Sequence, residues 1–418
     1  MILQLKNFAA CALLLVVTSA SSRSQPSTWT IDQVQDSAAQ NYPLIQQFDL
    51  INKASEYTIS NASKAYLPQF DVTLIGGVIS GAPSASQGTS TEANFISVLQ
   101  VNQPIWDGGM TKNYKEIAKA KAALQNIELE VSIYEIRERV NHLFFGILLL
   151  EEQLKQLGFL EKNLQTNYKL IETHVANGTA YQSDLDEIKV EIINAAQKRT
   201  ELIYASESYK KMLSAMIGTD LGANTKLIKP EKAVAFDHQI NRLELSVFDH
   251  QRKLIDSQDG LNKALLYPKI GLLGFGTFIQ PGINFGPSSL NNILVAGLSA
   301  SWSLSPLYKN KNNNNISEIN RQMIQVQEET FLYHTQLQVS QTQQEIKKYQ
   351  ELLERDKEII NLKKSIRASY ETKYKNGVAT TSQLLTRIND ENTANLQMII
   401  HDIQYLMAVY QLKTDTGN

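Results

Sequence analysis

The sequence predicts a mainly α fold with a β part: long coiled-coil helices and four strands of about ten residues per chain. Three observations carry this. The chain repeats itself at a distance of 199 residues, because Asn177-Gly178-Thr179-Ala180, Ser183 and Leu185 recur as Asn376-Gly377-Val378-Ala379, Ser382 and Leu384. Thr173, Ala195, Leu213 and Gly218 recur at the same distance as Thr372, Ala394, Leu412 and Gly417, and Leu67-Pro68 is matched one residue out of step by Tyr267-Pro268. Proline is absent between Pro104 and Pro230 and again after Pro306. Its missing N–H and its ring clash exclude it from helix interiors, so both stretches read as helical. Inside them, Ile133, Ile136, Val140, Leu143, Ile147, Leu150, Leu154 and Leu157 follow a three–four alternation that resumes with Leu164, Tyr168, Ile171 and Val175. That narrow stripe is a coiled-coil seam. An uninterrupted helix from Thr111 to Ala176 would be roughly 100 Å long at about 1.5 Å per residue. A duplication that keeps its spacing through such helices implies that a partner or a symmetric copy fixes their length.

The elements follow in order. Residues 1–22 read as an export signal: Lys6, an apolar run from Phe8 to Val17, then small residues from Thr18 to Ser22. The run is too short to span a bilayer, and cleavage is expected near Ala20 or Ser22. Cys11 is the only cysteine and lies inside that run, so the mature chain, 23–418, is expected to carry none. No later segment approaches the roughly eighteen apolar residues of a membrane helix. The formal net charge of −2 gives no electrostatic case for nucleic acid. The mature chain divides into two repeats, 31–220 and 236–418, joined by a linker at 221–235.

Each long helix is preceded by period-two segments, expected near 68–79, 94–106, 269–279 and 292–305. Phe70, Val72, Leu74 and Val78 alternate with Asp71, Thr73 and Ile75; Phe95, Leu99, Val101 and Ile105 alternate with Gln100, Asn102 and Pro104. In the second repeat Leu294, Ala296, Leu298 and Ala300 alternate with Val295, Gly297, Ser299 and Ser301. Turns rich in Gly, Ser and Pro are expected at Ser80–Thr91 and Pro281–Asn291. The apolar face suits either a soluble core or a lipid-facing barrel wall around a polar lumen. Four strands cannot close a barrel, and open edges are not tolerated in lipid, so either the sheet is soluble or several chains pool their strands; three chains would give twelve. Trp106 and Trp302 fall at strand-to-helix boundaries, where an interfacial aromatic belt or an ordinary packed junction are equal readings.

The export signal, Asn41-Tyr42-Pro43 in the first helix, Ala65-Tyr66-Leu67-Pro68-Gln69 entering a strand, Gln103-Pro104-Ile105-Trp106-Asp107-Gly108-Gly109 leaving one, and the paired Asn-Gly turns resemble the TolC family of outer-membrane efflux and secretion ducts, over the whole mature chain. The resemblance implies a homotrimer whose twelve-stranded β-barrel crosses the outer membrane and continues as a coiled-coil α-helical barrel into the periplasm. It implies a periplasmic adaptor docking at the helix-hairpin tips, here Asn177, Gly178 and Thr179 with Asn376, Gly377 and Val378, and through it an inner-membrane transporter. The family's periplasmic gate residues map onto Tyr374, Ser183 and Asp184. The gate arginine is replaced by Ala379, with Lys373 and Lys375 nearby, and the family's acidic ring by the neutral Gln383 and Thr386.

No enzyme signature accompanies this pattern. The six histidines show no i, i+4 pair with a neighbouring acid, Gly271–Gly276 is followed by no helix pattern, and no nucleophile elbow or phosphate loop is present. A passive duct needs no cofactor, metal or catalytic group. The competing reading is a soluble periplasmic coiled-coil scaffold or adaptor without its own pore. An adaptor, however, carries one hairpin between compact β domains rather than a duplicated unit.

Overall fold

The computed structural model describes residues 28–83, 89–222, 225–231, 239–285 and 288–417; the expected export signal lies outside them. The first repeat runs β1 (Thr28–Trp29), α1 (Ile31–Asn41), a 3₁₀ turn (Pro43–Gln46), α2 (Gln47–Ser63), β2 (Gln69–Pro83), β3 (Thr89–Trp106), α3 (Met110–Tyr134), α4 (Ile136–Ala176) and α5 (Gln182–Ile217). After β4 (Lys226–Leu227) come α6 (Leu243–Ala264), β5 (Lys269–Phe285), β6 (Ser288–Ser301), α7 (Ser305–Lys375) and α8 (Thr381–Thr416). Strands β1 and β4 pair in parallel, so the segment read as a linker contributes a strand partner to Thr28–Trp29.

The structure differs from the sequence reading in four places. The long first-repeat helix is interrupted at Glu135. Val131, Ser132, Ile133 and Tyr134 all have weaker helix propensity than the surrounding Leu, Glu and Arg, and the Tyr134 hydroxyl is drawn to the Thr414 carbonyl at 3.4 Å. Asn41-Tyr42-Pro43 ends the first helix instead of lying within it, because Pro43 opens the 3₁₀ turn. Asn41 then donates to the Ala215 and Met216 carbonyls at 3.3 and 3.1 Å, satisfying orphan acceptors at the end of α5. The strands run through most of both expected turns, to Pro83 and from Thr89, and to Phe285 and from Ser288; residues 84–88 and 286–287 lie outside the described ones. Finally, β6 stops at Ser301, short of 305, because Pro306 sits in the first turn of α7.

The four long strands form one antiparallel sheet in the order β2-β3-β5-β6. Helices α2, α3, α6 and α7, which lead into or out of those strands, pack as neighbours in the same order. Cross-strand partners share a face, so the register fixes both faces. On one lie Phe70, Val72 and Leu74, then Val101 and Leu99, Leu272, and Leu298 and Leu294. Leu294 is 86% and Leu298 80% exposed, so none of the described residues covers that face there. The opposite face mixes polar and apolar residues: Asp71, Thr73, Gln100, Asn102, Thr277, Ser299 and Ser301 share it with Ile75, Val98, Phe275 and Val295. The expected polar lining is therefore interrupted by apolar residues, with Phe275 directly opposite Gln100.

Where β3 enters α3, Asp107 organises the turn. Its carboxylate accepts from the Tyr66 hydroxyl at 2.8 Å, from Gly109 N–H at 2.9 Å and from Thr111 N–H at 2.7 Å, capping the helix start. Burial pushes its pKa up, but the hydrogen bonds from Thr111, Tyr66 and Gly109 outweigh this and hold it below the usual carboxylate value. Gly108 is left-handed (φ 72°), and a Cβ there would lie 2.8 Å from the Ala264 carbonyl oxygen, so both the turn and the approach of α6 require glycine.

Two apolar cores stack along the helices. The first, beside β1 and β4, gathers α1, α4, α5, α7 and α8 around the fully buried Val140, Phe144, Phe145 and Leu406. Phe145 meets Phe144 edge-on at 5.6 Å and Tyr410 at 5.3 Å. The second lies toward the hairpin tips.

Two outcomes follow. Phe145→Ala should destabilise the protein by about 3–5 kcal/mol, read as a lower thermal-unfolding midpoint. Because the folded Asp107 pKa is depressed, its contribution is present above the unfolded value of about 3.9 and lost as pH falls through the folded one. The midpoint should therefore drop as the pH is lowered below about 4, and Asp107→Asn should flatten that part of the profile.

Candidate functional site

The tips of the α4–α5 and α7–α8 hairpins are built by the same backbone device. In the first, Gly178 N–H donates to the Val175 carbonyl at 3.0 Å and Thr179 N–H to the His174 carbonyl at 2.8 Å. In the second, Gly377 N–H donates to the Tyr374 carbonyl at 2.9 Å and Val378 N–H to the Lys373 carbonyl at 2.8 Å. These are paired Schellman caps, with Asn177 and Asn376 at the C-cap and glycine at φ 69° and 71°. A Cβ at either glycine would meet nothing within 4 Å, so both turns are bare. The apolar C″ residue that normally folds back on such a cap does not do so here: Val378 is 75% exposed. At Thr179 the equivalent contact is polar, the hydroxyl lying 2.9 Å from His174 Nδ1.

Behind the bare turns the two hairpins share one core. Leu164, Ile171 and Ile188 of the first and Leu384 and Ile388 of the second are buried together with Tyr374. The Tyr374 ring meets His174 of the other hairpin edge-on at 5.4 Å, and its hydroxyl accepts from the Thr381 hydroxyl at 3.3 Å. Burial pushes the Tyr374 pKa up, the Thr381 hydrogen bond pulls it back, and the nearby Asp184 carboxylate adds to the rise. Asp184 itself accepts from Tyr181 N–H at 2.8 Å. Ser183 is exposed. Tyr374 and Asp184 are thus brought together, whereas the hydroxyl on Tyr374 comes from Thr381 of its own hairpin.

Several cations near the tips, Lys373 among them, are engaged by neighbouring side chains. Lys373 Nζ lies 4.8 Å from the Tyr370 ring centroid and Arg387 5.1 Å from the same ring. Arg387 and Lys363 both reach Asp390 at 3.0 Å, and Arg367 joins Glu371 to Glu391, tying α7 to α8. Gln383 is folded back into a capping box: Thr380 N–H donates to its Oε1 at 3.1 Å and its own N–H to Thr380 Oγ1 at 3.2 Å. The Thr380-x-x-Gln383 spacing signals that box in the sequence; nothing in one repeat signals the pairing of His174 with Tyr374.

At the strand–helix boundary Trp106 and Trp302 are 40% and 57% exposed. Trp106 stacks at a tilt on Tyr267 at 6.2 Å, and Trp302 Nε1 donates to the Leu266 carbonyl at 3.1 Å. Among the described residues no group of His, Cys, Asp and Glu could hold a metal ion, and no helix is long and apolar enough to cross a membrane.

Residues 34–219 match the family model described as outer membrane efflux protein. No curated protein matches the chain by sequence. Among solved structures, the CmeC outer membrane channel of Campylobacter jejuni is 14% identical with a TM-score of 0.66, covering 93% of this chain and 85% of its own. The outer membrane protein VceC of Vibrio cholerae is 13% identical at 0.66, covering 93% and 96%. The open state of the MtrE outer membrane channel of Neisseria gonorrhoeae is 14% identical at 0.67, covering 93% and 89%. Residues 34–219 therefore match the outer membrane efflux protein model, and the chain has the fold of such channels along nearly its whole length.

Proposed function

We propose that this protein is the outer-membrane duct of a tripartite efflux pump or type I secretion system, a trimeric channel-tunnel that gives passive exit to cargo chosen by its partners. The carrying observation is a four-stranded sheet with an exposed apolar face and two edges, β2 and β6, without a strand partner among the described residues. Three such sheets close a twelve-stranded barrel in the outer membrane, removing every edge and turning the apolar face to lipid. The helices then extend into the periplasm. The soluble-scaffold alternative needs the sheet to pack on its own core, and the exposure of Leu294 and Leu298 speaks against that.

The tips carry the docking function in this reading. Asn177, Gly178 and Thr179 with Asn376, Gly377 and Val378 meet a periplasmic adaptor, which links the duct to an inner-membrane transporter. Tyr374 and Asp184 belong to the closed end, with Thr381 taking the place of Ser183. Trp106 and Trp302 sit at the membrane boundary. Chemistry is not part of this role: the duct needs no cofactor.

The reading is tested by fractionation. The mature protein should sediment with the outer membrane and run as a trimer in mild detergent, whereas a monomer in the soluble periplasmic fraction would overturn it. Leu298→Arg, on the apolar face, should cost roughly 2–4 kcal/mol per chain and lower the amount of trimer; Ser299→Arg, on the other face, should assemble almost normally. At the tips, Gly377→Trp places a side chain on a left-handed residue at a cost of about 1 kcal/mol. Trimer should persist in normal amount with export lost in cells and conductance in planar bilayers retained.

A further inference from the structure

A concavity of about 670 Å³ lies where the sheet gives way to the helices, bounded by α2, α3, β3, β5 and β6. That volume is typical of small-molecule sites, about 300–1,000 Å³. Its walls differ in kind. Met110, Tyr114 and Ile117 come from α3 at the three–four spacing of one helix face, giving an apolar strip. Lys269, Ser299 and Ser301 come from the helix-proximal half of the sheet's second face, and Lys121 stands one turn beyond Ile117. Lys121 and Lys269 are exposed and form no ion pair among the described residues. The carboxylate on this wall, Asp107, is already engaged by Tyr66, Gly109 and Thr111, so it competes weakly for either ammonium.

We propose that this concavity binds an amphipathic organic anion, a small sulfonate or carboxylate with an apolar body. The body covers Met110, Tyr114 and Ile117, removing apolar surface from water. The head group turns toward Lys121 and Lys269, beside the Ser299 and Ser301 hydroxyls. An amphipathic cation gains the same apolar contact but faces two like charges, so the site discriminates by sign. That the concavity opens onto the inside of a conduit rests on the proposed function; that it takes an anion rests on its walls alone.

The experiment is calorimetric titration of the mature protein in lipid nanodiscs with octane-1-sulfonate and, separately, octyltrimethylammonium, with empty nanodiscs subtracted. Saturable binding of the sulfonate alone is expected. It should weaken about tenfold in Lys121→Ala/Lys269→Ala and be retained in Lys121→Arg/Lys269→Arg. Equal binding of the two amphiphiles, unchanged sulfonate binding in the alanine variant, or no saturable heat would overturn the site. Planar-bilayer conductance of the same preparations separates the two readings. Conductance without sulfonate binding removes the site and leaves the conduit; sulfonate binding without conductance does the reverse.

Discussion

The outer edges of β2 and β6 are the constraint on which the rest of the molecule depends. Each is a row of N–H and C=O groups without a strand partner among the described residues. Away from water every unpaired group of that kind costs several kcal/mol. In the proposed assembly a ring of identical sheets would remove both rows at once, one copy's β6 meeting the next copy's β2. The same curvature passes upward without redesign, because α2, α3, α6 and α7 stand in the order of the strands they continue. Sheet and helices are one wall in two secondary structures, and the Asp107 turn is where one becomes the other.

Much of this wall was legible in the sequence because two periods write it plainly. Alternation over Phe70–Ile75 and Leu294–Ser301 located strands and their faces, and the three–four stripe from Ile133 to Val175 located the seam. What stayed hidden depended on pairs distant in sequence. Glu135 interrupts a helix whose own pattern is continuous, because Tyr134 reaches a carbonyl of α8. The apolar residues that interrupt the second sheet face, Phe275 and Val295 among them, emerge only once the register of β5 and β6 is known.

The tips divide the same way. Asn-Gly at the end of a long seam announces a helix cap in each repeat, and both are Schellman caps. The side chains behind them were less readable. Tyr374 takes its hydroxyl partner from Thr381 across the turn and its ring partner from His174 in the other hairpin, and neither spacing belongs to a local motif. The two repeats keep the turn but not its furnishing: Thr179 carries a polar link to His174, while Val378 is bare.

The shared 199-residue interval limits how such a molecule changes length. A single residue inserted into α4 would turn everything beyond it by about 100° and displace it by about 1.5 Å. His174 would then leave Tyr374, and the two tips would no longer lie level. Insertions of about seven residues, made together in α4, α5, α7 and α8, instead preserve the seam and raise both tips by about 10 Å. The helical part can therefore grow or shrink only in steps of roughly two turns, taken by both repeats in concert.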